Sequence, residues 1–349
     1  MEMKGAFPMA IHHSITELIG HTPLLELTNY EQEQQLSAEV VVKLEYFNPN
    51  QSVKDRIANA MIEDAERRGL LHKGDTIVET TSGNTGIGLA AIAAAKGYKF
   101  RVYIQDQVSE ERFQVIHAFG GETIKLGDDP ELARILEATQ GDFVAACHAL
   151  HARYANKRGY FFVDQVSNPA NPDVHRRTTG PEIWQDTEGK VDILVAAVGT
   201  GGTISGTGAY LKAQNPALQV VAVQPGPDSI PTPENPAPEA EITGVHAFEG
   251  VDAARVPSTL DRQIYDEVLS VEGEDAIATA RAVAKSDGIL IGTSSGAAIH
   301  AATLLARRPE NRGKRIVVVL ADTGLRYLST NLFADSEEAE EELPRAVNA

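Results

Sequence analysis

The residues best placed to do chemistry are one lysine and a set of turns rich in glycine, serine and threonine. Lys54 lies in "NPNQSVKDRIANAMIEDAERRG", a stretch whose apolar spacing predicts a helix. Ser52 is placed to cap that helix, and Asp55, three residues on, completes a box-like arrangement. Lys54 then falls in the first helical turn, where the helix dipole disfavours a cation. A lysine so placed tends toward the neutral amine, the form that makes an imine with a carbonyl. Taken alone the position is weak evidence, because most first-turn lysines simply reach into solvent.

The turn "TTSGNTGIG", residues 80 to 88, follows the apolar run Thr76-Ile77-Val78 and precedes an alanine-rich helix. Thr81, Ser82, Asn84 and Thr85 offer neutral donors there, beside the unpaired N–H groups of a helix start, so a carboxylate or a phosphate would suit it. "GTGGTISGTG", residues 199 to 208, is a second strand-to-helix turn whose N–H groups could cradle a phosphate. It lacks the lysine of a P-loop, since Thr207 follows Gly206, and Ile204 stands where a dinucleotide fingerprint begun at Gly199 needs its third glycine. Gly86-Ile-Gly88-Leu-Ala-Ala91 fits G-x-G-x-x-A with Asp106 further on, but it starts inside the expected helix and not at the strand end. Nicotinamide binding is set aside on that ground. His148 and His151 are one turn apart with no carboxylate ligand evident in the sequence, and no metal site is expected.

The elements that must position these residues alternate in an α/β pattern. "DTIVET", "KFRVYIQD", "VDILVAAV" and "RIVVVLAD" read as strands of parallel sheets, and a further turn, "GTSSGAAI", follows "GILI". Turns at the carboxyl ends of such strands are expected to meet at one cleft. The Pro-rich stretch "QPGPDSIPTPENPAPEAEITGV" is expected as a surface excursion, and "ADSEEAEEELPRAVNA" as an acidic, solvated tail. A length of 349 residues allows roughly two domains, and the net charge of -18 argues against nucleic acid and anionic membranes. No apolar run approaches the roughly 20 residues of a membrane helix, and a cytoplasmic location is the default. The single cysteine, Cys147, excludes an intrachain disulfide and is expected as a small buried residue.

Together, "NP..SVKDRIA", "TSGNTGIGLA", "QVSNPANPDVHRRTTGPEIW", "GTGGTISGTG" and "GTSSGAA" resemble, in order and spacing, the cysteine synthase (O-acetylserine sulfhydrylase) and cystathionine β-synthase family of fold-type II pyridoxal-phosphate enzymes. The resemblance spans roughly residues 14 to 330. It implies two three-layer αβα domains: a smaller, mobile, substrate-carboxylate-binding one over 48–165, and a larger cofactor-binding one from 1–47 plus 166–330, followed by the tail 331–349. It implies that Lys54 holds pyridoxal 5′-phosphate as an internal aldimine and then moves the proton at Cα. Gly199, Thr200, Gly201, Gly202 and Thr203 would bind the 5′-phosphate, Asn84 the ring hydroxyl, and Ser294 the pyridine nitrogen. Thr81, Ser82, Asn84, Thr85 and Gln165 would hold the substrate carboxylate.

The activity so implied is that of a transferase or lyase in cysteine biosynthesis. O-acetyl-L-serine and sulfide would give L-cysteine and acetate through an aminoacrylate intermediate. The alternative is a cystathionine β-synthase or cysteine/serine β-lyase reaction, with serine or cysteine as donor and homocysteine as acceptor or sulfide released. A catalytically idle binding paralogue is a third reading, which Lys54, Asn84 and Ser294 argue against. The resemblance also implies a homodimer, and a cleft able to take the C-terminus of serine acetyltransferase. The chain departs from the family pattern at Asn50-Gln51, at "YIQDQVSEERF" and at "TGVHAFEGVDAARVPSTLD", which places Gln51 and Phe248 at the expected entry side for donor and acceptor.

Overall fold

The computed structural model describes residues 11–81, 83–104, 110–139, 143–230, 232 and 240–333. Ten strands form two sheets among them. The larger sheet contains β1 (Leu24–Glu26), β2 (Glu39–Leu44), β7 (Ile193–Ala197), β8 (Gln219–Pro225), β9 (Glu267–Val271) and β10 (Arg315–Leu320), in the order β1-β2-β10-β7-β8-β9. The smaller contains β3 (Thr76–Thr80), β4 (Lys99–Ile104), β5 (Glu122–Lys125) and β6 (Tyr160–Phe162), in the order β5-β4-β3-β6. Every pairing is parallel except β1 with β2. The four runs expected as strands are β3, β4, β7 and β10.

Both sheets are covered on both faces, and the alternation along each strand shows it. In β10, Ile316, Val318 and Leu320 join one core cluster while Val317 and Val319 join the cluster on the opposite face. In the smaller sheet Ile77 and Val102 face one way, and Val78 and Tyr103 the other. Near-continuous apolar strands are what a parallel sheet sandwiched between helices requires.

"GILI" makes only a single bridge, Ile291 with Thr323. The helix Gly273–Asp287 ends on Gly288 in the left-handed region (φ 70°), and the next helix is already capped at Gly292, so too few residues separate them for a strand. The Pro-rich stretch opens as the end of a strand, with Pro225 paired to Val271 in β8 and β9, and then leaves the sheet. Its residues 231 and 233–239 lie outside the described residues, as does the acidic tail beyond 333. Cys147 is only partly buried. No helix among the described residues is long and apolar enough to cross a membrane.

Candidate active site

The Lys54 helix (Lys54–Arg67) buries Ile57, Ala58, Met61, Ile62 and Ala65 in the core cluster on one face of the smaller sheet, which fixes the rotation of its first turn. Its start differs from the expected capping box. Ser52 Oγ accepts from the Lys54 N–H at 3.2 Å, but the Asp55 carboxyl reaches back to the Asn50 N–H at 2.6 Å and not to Ser52. Burial pushes Asp55 up to about 7. Burial also lowers the Lys54 amine from the ordinary lysine value, although Asp322 and Glu45 pull it upward. The helix Asn84–Lys96 packs close alongside: a Cβ on Gly88 would stand 3.2 Å from Ala58 Cβ and 3.3 Å from the Lys54 carbonyl. Gly88 of the G-x-G-x-x-A match therefore serves helix packing.

The turn after β3 is held from below by a carboxyl that the sequence reading passed over. Glu79 is fully buried; it accepts from the Thr80 N–H at 2.8 Å and from the Gln165 N–H at 3.0 Å, and burial pushes it up to about 8. Thr85 donates to Gln165 Oε1 at 2.6 Å, and Thr81 Oγ1 accepts from the Gly83 N–H at 3.3 Å. Thr81, Thr85 and Gln165 thus converge; Ser82 lies outside the described residues. Asn84 Nδ2 donates to Asp322 Oδ2 at 2.7 Å, while the Arg326 guanidinium donates to Asn84 Oδ1 and to the Asn50 carbonyl. Asp322, at the carboxyl end of β10, also accepts from Tyr327 at 2.8 Å, and its other oxygen is buried with no partner.

The second turn is a cradle made of backbone. Gly201 has φ 81°, and no side chain caps the helix Gly202–Gln214 that it opens. A Cβ on Gly199 would strike the Gly244 carbonyl at 2.5 Å, and one on Gly202 would lie 1.9 Å from Asn171 Oδ1. Asn171 Nδ2 bridges the Gln165 carbonyl (2.8 Å) and Thr200 Oγ1 (3.0 Å), joining the cradle to the carboxylate-side cluster. Thr203 Oγ1 lies 3.3 Å from His175 Nε2, whose other ring nitrogen meets Thr179 at 2.9 Å. Burial, with Arg56 and Lys54 adding to it, holds His175 down to about 3, so the ring is neutral at working pH.

Ser294 is buried in the first turn of the helix Thr293–Ala306, and the Gly292 N–H just before it bonds the Asp322 carbonyl at 3.4 Å. The structure therefore gathers Lys54, Asn84, the 199–203 turn and the Ser294 turn around Asp322 and Asn171. An uncapped helix start, a glycine cradle and a neutral His–Thr pair suit a phosphate dianion. A half-buried lysine of lowered basicity suits a carbonyl. These features fit pyridoxal phosphate. One consequence is testable directly: Gly202→Ala should weaken pyridoxal-phosphate affinity by at least about tenfold, since displacing Asn171 breaks a buried hydrogen-bond pair. Titration of cofactor fluorescence against the purified variant checks it, and an unchanged Kd would contradict the cradle.

Two expectations fail here. Phe248 is 1% exposed and packs edge-on against Tyr265, so it cannot line an entry. His151 does have a carboxylate partner, Asp164 at 2.9 Å, yet no group of three potential metal ligands forms among the described residues.

Comparison with known proteins agrees with this chemistry. The family model "Pyridoxal-phosphate dependent enzyme" matches residues 15–322. The cysteine synthase of Staphylococcus aureus is 45% identical over 322 residues, 92% of this chain and 97% of that protein. The crystal structure of O-acetyl serine sulfhydrylase isoform 3 from Entamoeba histolytica superposes with a TM-score of 0.79 at 38% identity, covering 94% of this chain and 93% of that one. A hydrogen sulfide-producing enzyme from Fusobacterium nucleatum has a TM-score of 0.79 at 36% identity, covering 91% and 99%. The chain belongs to the family of pyridoxal-phosphate-dependent enzymes that includes the cysteine synthases.

Proposed function

We propose that the chain is a cysteine synthase, replacing the acetoxy group of O-acetyl-L-serine with sulfide to give L-cysteine and acetate. One observation supports the reading: Asn171 joins a glycine cradle suited to a phosphate to the Gln165 side of a cluster of neutral donors suited to an amino-acid carboxylate, and Asp322 links Asn84 to the start of the Lys54 helix. When bound, pyridoxal phosphate supplies the electron sink that makes Cα acidic. Gly199, Thr200, Gly201, Gly202 and Thr203 would hold its phosphate, Ser294 its ring nitrogen, and Lys54 its aldehyde carbon. Asn84 serves the ring hydroxyl, its amide oriented by Asp322 on one side and Arg326 on the other.

Thr81, Ser82, Asn84, Thr85 and Gln165 orient the substrate carboxylate. Lys54 then removes the Cα proton and later returns it, a role that favours an amine neutral near working pH. A neutral Ser294 at the ring nitrogen would not enforce a protonated ring, which suits loss of a β-substituent. Residues 48–165 act as the smaller unit that closes on the carboxylate and keeps water out. A homodimer in the cytoplasm, with a cleft open to the C-terminus of serine acetyltransferase, belongs to the same reading.

Steady-state assays with O-acetyl-L-serine, L-serine and L-cysteine as donors, each with sulfide or homocysteine, test it. Sulfide-dependent turnover of O-acetyl-L-serine should exceed every other pair in kcat/KM. A higher value for serine or cysteine with homocysteine would replace this reading by the cystathionine-forming one.

A further inference from the structure

The segment 242–248 carries a side chain that neither the cofactor cradle nor the carboxylate cluster uses. Ile242, Val245 and Phe248 are buried and pin the segment into the core. Its backbone is tied to two walls of the site. The His246 N–H bonds the Val198 carbonyl at 2.9 Å, one residue before the phosphate turn. The Thr243 N–H bonds Thr293 Oγ1 at 3.2 Å, beside Ser294. The Gly244 carbonyl lies close enough to Gly199 that a Cβ there would clash at 2.5 Å. Between these fixed points His246 is an exposed residue, and its ring has no hydrogen-bond partner among the described residues.

His246 is exposed as a residue, and burial of its ring is the main force lowering its basicity. A positive charge on Lys54, when the amine carries its proton, lowers it further. An imidazole of lowered basicity, unpartnered and mounted on a backbone fixed beside the phosphate turn and Thr293, is placed to accept a proton. A phosphate does not need it, and the carboxylate cluster lies on the Thr81–Gln165 side.

We propose that His246 is a catalytic residue for the second substrate, accepting the S–H proton of the incoming thiol as its sulfur bonds to the β-carbon. The inference rests on the β-replacement reading. A thiol of ordinary acidity is mostly protonated at neutral pH, so a base at this point raises the nucleophilic fraction where it is used. In the step, the S–H bond breaks, the sulfur electron pair forms the C–S bond, and the proton moves to an imidazole nitrogen and on to solvent. The departing carboxylate has already left with its own electron pair, and Lys54 returns the Cα proton. The net change is donor plus thiol to thioether or thiol product plus acid. Hydrogen sulfide and an alkyl thiol such as homocysteine share this chemistry, and separate assay arms distinguish them.

The test uses holoenzyme with His246→Ala and His246→Gln, and His72→Ala as a surface control. Acetate release from O-acetyl-L-serine in a single turnover reads the donor step; kcat/KM for sulfide and for homocysteine reads the thiol step. Both His246 variants should lose about 100-fold in kcat/KM for the thiol used, with the KM for O-acetyl-L-serine moving less than about twofold. Independently of turnover, the histidine ring resonance absent from the His246→Gln spectrum should shift when 2-mercaptoethanol is added without donor. Normal acetate release by wild type, with equal thiol kcat/KM in wild type and both variants, would overturn the role of His246 alone. A resonance indifferent to 2-mercaptoethanol would do the same. No acetate release by wild type would overturn the replacement reading itself, and this inference with it.

Discussion

Lys54→Ala should fold normally, bind pyridoxal phosphate without a covalent link, and lose turnover by at least about 10³-fold. The fold survives because the amine contributes little to it: burial lowers its basicity, so the charged form is already penalised where it stands. In the cofactor-free wild type that penalty has a sign. The folded-state pKa lies below the unfolded value, so stability rises with pH between the two as the unfolded chain gives up its extra proton. The alanine variant should lack this rise. Loss of turnover follows because the fully buried lysine among the described residues, Lys43, cannot stand in: it is committed to Glu182 at 2.8 Å and to the Thr22 carbonyl. Borohydride reduction of wild-type holoenzyme followed by peptide mapping should place the label on Lys54. A label elsewhere, or wild-type turnover in the variant, would sink the assignment.

Lys54 also shows what local sequence can and cannot reveal. The strand runs β3, β4, β7 and β10 were legible because buried parallel strands demand uninterrupted β-branched residues. The turns were legible because glycine, serine and threonine cluster at their carboxyl ends, and the structure brings those turns to one place. The supports were not legible. Glu79 looks like one more polar residue in "DTIVET", and only its burial beneath two backbone N–H groups gives it a task. Asp322 ends a strand like many aspartates; its partners Asn84 and Tyr327 lie on opposite sides of it in sequence, 238 and 5 residues away. Asn171 and His175 sit inside "QVSNPANPDVHRR", a stretch that the family resemblance marks as a unit without telling which side chain touches the cradle. Phe248 was misplaced for the complementary reason. An aromatic residue in an unusual segment could face a ligand or the core, and here Val198, Leu260 and Tyr265 belong to the same packed cluster. Contacts across the chain decide such cases, and no local pattern encodes them.

Two residues along the same helix the expected effect turns from catalysis to stability. Arg56 is 1% exposed and bidentate on two carboxylates: Nε and Nη2 bond Glu45 at 2.7 and 2.8 Å, and Nη1 and Nη2 bond Glu182 at 2.7 Å each. Lys43 supplies the second positive charge, so two cations face two anions out of solvent. Burial would raise Glu45 and Glu182, but Arg56 more than offsets it, leaving Glu45 below the usual range and Glu182 at about 2. Arg56→Leu removes one cation and leaves a carboxylate buried without its partner, which typically costs about 3–5 kcal/mol. Arg56→Lys keeps the charge but not the fork, and should fall between. The pH dependence separates this from simple loss of packing. In wild type the depressed pKa values give stability that is present above the unfolded glutamate value and lost as pH falls through the folded values. In Arg56→Leu the carboxylates protonate earlier, so the deficit should shrink as pH is lowered from 7 toward 5. Urea unfolding at both pH values reads this, and a deficit that is small or the same at both would show that the network does not hold the helix. Because Lys54 begins that helix, Arg56→Lys should also lower kcat more than it raises the KM for O-acetyl-L-serine, as displacement of the amine from Cα requires.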